Sequence, residues 1–179
     1  EACPFNMAPT TSSTVIMVLG DAIAVALMKM RGFKLADYAR LHPGGQLGKR
    51  LIMTVADVML KGDDNPLIKI SDRVKDCILK ISEKQAGAVS VVSDNGKLIG
   101  IVTDYDIRKH LEKEENIFSM KIADIMNSKP ISVYEDEKAF SALKIMQERK
   151  KPITILPVLD RNDIVVGILR LQDLVKVGL

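Results

Sequence analysis

Tryptophan is absent from this 179-residue chain, and aromatic residues make up only 4% of it. A nucleic-acid reader built on stacked aromatic platforms is therefore not expected. Charge of one sign is equally scarce. Lys and Arg number 26 against 23 Asp and Glu, a net +3 that is too small and too mixed for binding along a polyphosphate backbone. Two cysteines, Cys3 and Cys77, lie far apart and build no disulfide framework, which points to a reducing, cytoplasmic compartment. Together with His42 and His110 they show no zinc-type ligand spacing, so neither a metal nor a cofactor is expected. The longest apolar run, residues 15–30, is interrupted by Asp21 and Lys29. It falls short of the ~20 uninterrupted apolar residues of a membrane span, so no membrane partner is expected. No charged-then-apolar-then-cleavage pattern opens the chain, so a signal peptide is not read there. The first residues, beginning at Glu1, read like the middle of a domain, and the expectation is a fragment of a longer protein.

What is present is an ordinary globular balance, 47% hydrophobic and 27% charged, arranged as an internal repeat. Val55-Ala56-Asp57-Val58-Met59 recurs as Ile122-Ala123-Asp124-Ile125-Met126, and Leu98-Ile99-Gly100-Ile101-Val102 recurs as Val165-Val166-Gly167-Ile168-Leu169, both at an offset of 67 residues. Between these ends the register slides by a few residues, as Pro66-Leu67 matches Pro130-Ile131. Two copies make a duplicated pair rather than a solenoid, which needs ~3 or more repeats.

Each copy reads as a short helix, a Pro-containing loop, a brief strand, an amphipathic helix, a hairpin and a closing helix. The amphipathic helix shows one buried stripe, Val74, Cys77, Ile78 and Ile81 in the first copy and Ala139, Ala142, Leu143 and Met146 in the second. In the first hairpin Asn95-Gly96 offers the positive φ values of a tight turn. Met59, Met126 and Met146 read as core filler. One copy is too small to cover its own sheet, so the two should pack sheet to sheet as an α/β (α+β) unit. Residues 1–50 differ. A helix capped by Ser13 or Thr14 and stopped at Gly32 is apolar nearly all round, as in the centre of a larger domain. A second helix over 34–41 ends at His42-Pro43-Gly44-Gly45. Without covering layers this part should oligomerise or stay loose.

The duplicated unit, over about residues 52–179, resembles a tandem CBS pair, or Bateman module. The resemblance rests on the Ala-Asp-Val/Ile-Met starts, the Ser90 and Pro157 hairpin positions and the Gly100-Ile101-Val102-Thr103-Asp104-Tyr105-Asp106 string. The leading Ala8-Pro9-Thr10-Thr11-Ser12-Ser13-Thr14, the 19–27 helix and His42-Pro43-Gly44-Gly45-Gln46-Leu47-Gly48 resemble the end of a sugar isomerase (SIS) domain. The whole chain is similar to arabinose-5-phosphate isomerases of the KpsF/GutQ/KdsD type, in which such a domain precedes a CBS pair. That resemblance implies residues 1–50 as an SIS remnant, 52–116 as the first CBS repeat and 117–179 as the second. It also implies interconversion of ribulose 5-phosphate and arabinose 5-phosphate on the way to Kdo, with sugar phosphate as substrate of the intact parent. The implied assembly is a homo-oligomer, a dimer of CBS pairs within a tetrameric parent.

Thr103 and Asp106, three apart at a strand-to-helix junction, suit either of two tasks: holding ribose hydroxyls or capping the helix. The resemblance favours the nucleotide reading and extends it to Pro66, Leu67, Ile68, Ala86, Gly87, Ala88, Pro130, Ile131 and Lys151 as the frame of the ligand. In the second copy Arg170 stands where Thr103 stands, while Asp173 matches Asp106. Arg170 either grips a phosphate or pairs with Asp173 and closes that half. The implied ligand is CMP-Kdo, AMP or ATP. In the intact parent His42 is the catalytic candidate, since enediol chemistry needs a base near neutral pH, and Thr10, Thr11 and Ser12 either line the sugar pocket or cap the helix. The rival expectation is a structural oligomerisation module that binds nothing.

Overall fold

The computed structural model describes residues 1–42, 45–112 and 116–179; Pro43 and Gly44 of the expected loop lie outside the described residues. Helix α1 spans Thr10–Met30, α2 Leu35–Leu41 and α3 Gln46–Ile52. Helix α1 has its N-cap at Pro9, four to five residues earlier than the Ser13 or Thr14 expectation. Its first N–H groups need an acceptor, and the Glu1 carboxylate supplies it, accepting from the Thr11 and Ser12 N–H groups at 2.7 and 3.2 Å and from the Ser12 hydroxyl. No residue of α1 is buried, and Ile16, Met17 and Val25 face solvent. By length and composition it is the one helix among the described residues apolar enough to cross a membrane.

The sequence pattern offers no helix between the 34–41 helix and the turn at Val55, yet α3 lies there. Its end is fixed on the second repeat. Lys138 Nζ donates to Ile52 O at 3.1 Å, and Lys49 Nζ donates to Val177 O at 2.8 Å. The Arg50 guanidinium lies 5.0 Å from the Phe140 ring centre, a cation–π contact.

In the first repeat β1 is Leu60–Lys61, β2 Leu67–Lys69, α4 Val74–Lys84, β3 Ala88–Val92, β4 Leu98–Thr103 and α5 Asp104–Leu111. The second repeat follows with α6 Ile122–Ile125, β5 Val133–Tyr134, α7 Ala139–Gln147, β6 Ile155–Leu159, β7 Val165–Arg170 and α8 Leu171–Lys176. The first short helix, expected over 55–59, is a 3-10 turn at Val55–Asp57 that runs into β1.

The two sheets are ordered β2-β3-β4 and β1-β7-β6-β5. Strand β1 thus belongs to the first repeat in sequence and to the second in space, with Leu60 opposite Ile168. The exchange is reciprocal, because Asn127 and Ile101 trade backbone hydrogen bonds at 2.9 and 3.0 Å. This crossing explains Gly100 and Gly167. A Cβ at Gly167 would lie 2.6 Å from both Leu60 O and Met59 Sδ, and one at Gly100 would lie 2.8 Å from Met126 Sδ and 2.9 Å from Asn127 O. Met59 and Met126 are therefore more than filler: each crosses a strand of the other copy where only glycine leaves room.

The cores are exchanged in the same way. Val55 and Met59 pack with Leu143, Met146, Leu156 and Leu169 of the second repeat. Ile117, Ile122 and Ile125 pack with Val74, Cys77, Val89 and Val102 of the first. Both amphipathic stripes face these cores, with Ile78 partly buried at the edge of its own. Sheet meets sheet through Ala88, Ile101 and Ile168 at one end and Val92, Leu159 and Val165 at the other. Ser90 is wholly buried in β3, and among the described residues its hydroxyl has no partner.

The first hairpin corrects the Asn-Gly expectation. Only Gly96 takes a positive φ, +74°, while Gly96 N–H bonds Ser93 O and Ser93 N–H bonds Lys97 O. That is a three-residue loop ending in a left-handed residue. Asp163 repeats it at φ +64°, with its own N–H on Asp160 O.

Candidate functional site

Strand β4 runs directly into α5, and β7 into α8, so both strand-to-helix junctions open on one cleft of about 1270 Å³. At the first junction Asp106 Oδ2 accepts from Thr103 N–H at 2.9 Å and from the Thr103 hydroxyl at 2.7 Å, while Thr103 Oγ1 accepts from Asp106 N–H at 3.3 Å. This reciprocal cap satisfies the helix start. It also uses only one carboxylate oxygen: among the described hydrogen bonds Oδ1 of Asp106 has no donor. Capping and ligand binding are thus compatible at the same two residues. The first N–H groups of α5 are partly spoken for, since Asp104 N–H bonds Gly87 O at 3.1 Å and Asp106 N–H bonds Thr103 Oγ1.

The opposite wall comes from the start of the second repeat and the loop after α7. Asn127, Lys129, Pro130 and Ile131 line one side, and Arg149, Lys151, Pro152, Ile153 and Thr154 another. Arg108, Lys129, Arg149 and Lys151 reach the cleft, and none takes part in an ion pair among the described residues. Against these cations stand Asp104 and Asp106, so the lining favours an anion. Ile101, Pro130, Ile131, Ile153, Ile155 and Leu171 supply apolar walls. The loop entering β3 carries two left-handed residues, Gln85 at φ +48° and Gly87 at φ +72°. This turn brings the Gln85 carbonyl to the Arg170 Nη1 donor at 2.7 Å.

The second junction is chemically different. Arg170 Nε donates to Asp173 Oδ2 at 2.5 Å and Nη2 to Oδ1 at 2.8 Å, a two-point pair with both side chains about 11% exposed. Of the two readings open for Arg170, the structure shows the ion pair.

Of the sequence-derived candidates, Ala86, Gly87, Thr103, Asp106, Pro130, Ile131, Lys151 and Arg170 meet in this cleft. Ala88 lies behind it in the contact between sheets, and Asp173 lies beneath Arg170. Pro66, Leu67 and Ile68 are elsewhere: Leu67 and Ile68 pair with β3, and Leu67 O accepts from Lys80 Nζ. His42 is exposed and stacks on Tyr38, ring centres 4.3 Å apart, with Nδ1 3.2 Å from Tyr38 O. Thr10, Thr11 and Ser12 sit exposed at the start of α1. Neither group lines the cleft. The sequence reading missed Gln85, Arg108, Lys129 and Asn127. Arg108 was within reach of helical spacing from Asp104, whereas Asn127 is placed only by the strand exchange. Cys77 is buried as expected; burial pushes its thiol up to about 12, and the nearby charges of Asp104 and Asp106 add to the rise. No group of three or more His, Cys, Asp or Glu gathers as a metal site among the described residues.

Comparison with known proteins places this geometry in context. The CBS domain model matches residues 55–113 and 122–179. The arabinose 5-phosphate isomerase KdsD of Francisella tularensis is 41% identical over 179 residues, all of this chain and 54% of the relative. The chain spans about half the length of the curated relatives it matches. Among solved structures, CBSX2 in complex with AMP is similar with a TM-score of 0.57 and 29% identity, over 69% of this chain and 93% of that one. The CBS domain pair of MJ0100 in complex with 5'-methylthioadenosine and S-adenosyl-L-methionine is similar with a TM-score of 0.60 and 27% identity, over 70% and 94%.

Proposed function

The chain belongs to the CBS domain family, and from that premise we propose that its cleft binds a nucleotide or nucleotide-sugar and regulates an arabinose 5-phosphate isomerase. The observation that carries the reading is the pairing of a carboxylate with one unused oxygen, Asp106, with unpaired cations on the facing wall. A ribose offers two vicinal hydroxyl donors, for which an unused carboxylate oxygen is the fitting acceptor. The phosphate then faces Lys151, Arg149 and Lys129, and the base lies against Pro130, Ile131 and the Ala86-Gly87 backbone. Two similar CBS pairs were solved with adenosine-containing ligands, which supports AMP or ATP. The isomerase resemblance keeps CMP-Kdo as the end-product alternative.

In the longer enzyme, residues 1–50 serve as the end of the SIS domain, His42 contributes to isomerisation, and Thr10, Thr11 and Ser12 line the sugar pocket. The substrate pair is D-ribulose 5-phosphate and D-arabinose 5-phosphate, in a cytoplasmic homo-oligomer. Regulation requires the ligand to favour one arrangement of the pair over another. Helix α3 supplies a route, because Lys49 and Arg50 tie it to the ends of α8 and α7. The test is thermal unfolding of this chain with AMP, ATP, CMP and CMP-Kdo, beside Asp106→Asn. A ligand at ~100 times its Kd stabilises by ~2.7 kcal/mol, which raises Tm by roughly 5–10 °C for a chain of this size. A shift with one ligand, lost in the variant, supports the reading. No shift with any of them returns the pair to a structural, oligomerising role.

A further inference from the structure

We infer that this module holds one nucleotide per chain rather than two, and that Arg170 is the residue that shuts the second half; the inference rests on the nucleotide reading of Asp106. The two halves share a backbone frame. In the first, Gly87 O accepts from the N–H of Asp104, the first residue of α5, at 3.1 Å. In the second, Thr154 O accepts from the N–H of Leu171, the first residue of α8, at 2.8 Å. Thr103 and Arg170 precede those helices, and Asp106 and Asp173 follow three residues on.

The chemistry on that shared frame differs. Asp106 keeps Oδ1 free, whereas both oxygens of Asp173 are taken by the Arg170 fork and Lys176 Nζ stands 3.5 Å from Oδ1. The third Arg170 nitrogen, Nη1, donates across to Gln85 O of the first repeat. Arg170 is thus held at three points, and a ribose arriving at Asp173 finds no unused oxygen. To bind, it must break an ion pair that is largely out of water, and the freed charges are then left uncompensated. The loop that faces each half agrees: Pro130 is half-buried beside the open cleft, while its repeat counterpart Pro66 is buried and does not line it.

The test is isothermal titration of this chain with AMP and, separately, ATP, with the folding of each variant checked by circular dichroism. The wild-type chain saturates at one nucleotide per chain, Asp106→Asn loses all binding, and Arg170→Thr, which restores a Thr-x-x-Asp pair, saturates at two. Two nucleotides on the wild-type chain overturn the inference and leave the nucleotide reading standing, whereas one remaining in Asp106→Asn overturns both the inference and the assignment of that nucleotide to Asp106. A stoichiometry still at one in folded Arg170→Thr overturns the role of Arg170. Should the wild-type chain bind neither probe while Arg170→Thr binds one, the plug is upheld and the Asp106 reading fails; no binding by either overturns both. If Arg170→Thr does not fold, Asp106→Asn alone decides the number of sites.

Discussion

The two repeats of this chain share strands, helices and hairpin geometry, yet they treat the same aspartate position in opposite ways. Asp106 is half-used by a hydroxyl cap and lines the cleft, while Asp173 is saturated by a guanidinium and buried. The difference teaches that duplication conserves what the backbone needs, an acidic group three residues past the strand end, and leaves free what the ligand needs. A single change of partner, hydroxyl to guanidinium, converts a receptive carboxylate into a structural one.

The comparison breaks most visibly at those aspartates. Asp173→Ala leaves Arg170 charged, largely buried and unpaired, and is expected to lower stability by about 3–5 kcal/mol. Asp106→Ala removes only a helix cap, about 1 kcal/mol. Urea denaturation of both variants reads the gap, and equal losses would undo the distinction. The next largest effect tests the symmetry of the strand exchange. Gly100→Ala and Gly167→Ala each drive a Cβ into a crossing backbone carbonyl and a Met thioether, and each should cost about 1–3 kcal/mol. A loss confined to one of them would show that the two crossings are not equivalent.

Smaller effects separate the copies further. Ser90 and Pro157 occupy matching places in β3 and β6, but the Ser90 hydroxyl is buried without a partner. Ser90→Ala should leave Tm unchanged or raise it, by up to about 1 kcal/mol in stability, because the orphan hydroxyl is removed with little volume. A clear fall in Tm would reveal a bond that the hydroxyl makes.

The smallest effect is one of pH. Thr54 N–H and its hydroxyl both donate to Asp57, and hold that carboxyl below its usual range. A lowered folded value contributes stability above the ordinary carboxylate range and loses it as pH falls through the folded value. Among the described residues the side chain of the matching Asp124 accepts the Lys121 N–H bond alone. Acid titration of stability should therefore be blunted by Asp57→Asn, and an unchanged loss of stability at low pH in that variant would refute the contribution.

Much of this was legible before any coordinates. The stripes at Val74, Cys77 and Ile81 and at Ala139, Ala142 and Met146 were readable because helical burial follows a local period. The Thr103 to Asp106 pair was readable as cap or ligand, because both roles need an oxygen at that spacing. The start of α1 was misplaced because its acceptor is the Glu1 carboxylate, ten residues away, rather than a local Ser or Thr. The hairpin misread came from assigning to Asn95 a twist that Gly96 carries alone. Helix α3 was missed because its support, Phe140, Lys138 and the Val177 carbonyl, lies far along the chain.

By itself the sequence determined the duplication, the alternation of strand and helix, and which residues face inward, since each follows from spacing within one copy. Only the tertiary structure decided which core each copy's opening turn would enter, that Met59 and Met126 would cross the glycines of the opposite copy, and that Arg170 would close on Asp173 and Gln85. Those outcomes depend on contacts between residues tens of positions apart. Their energies come from close packing and from charge removed from water, and neither is visible along a single strand of sequence.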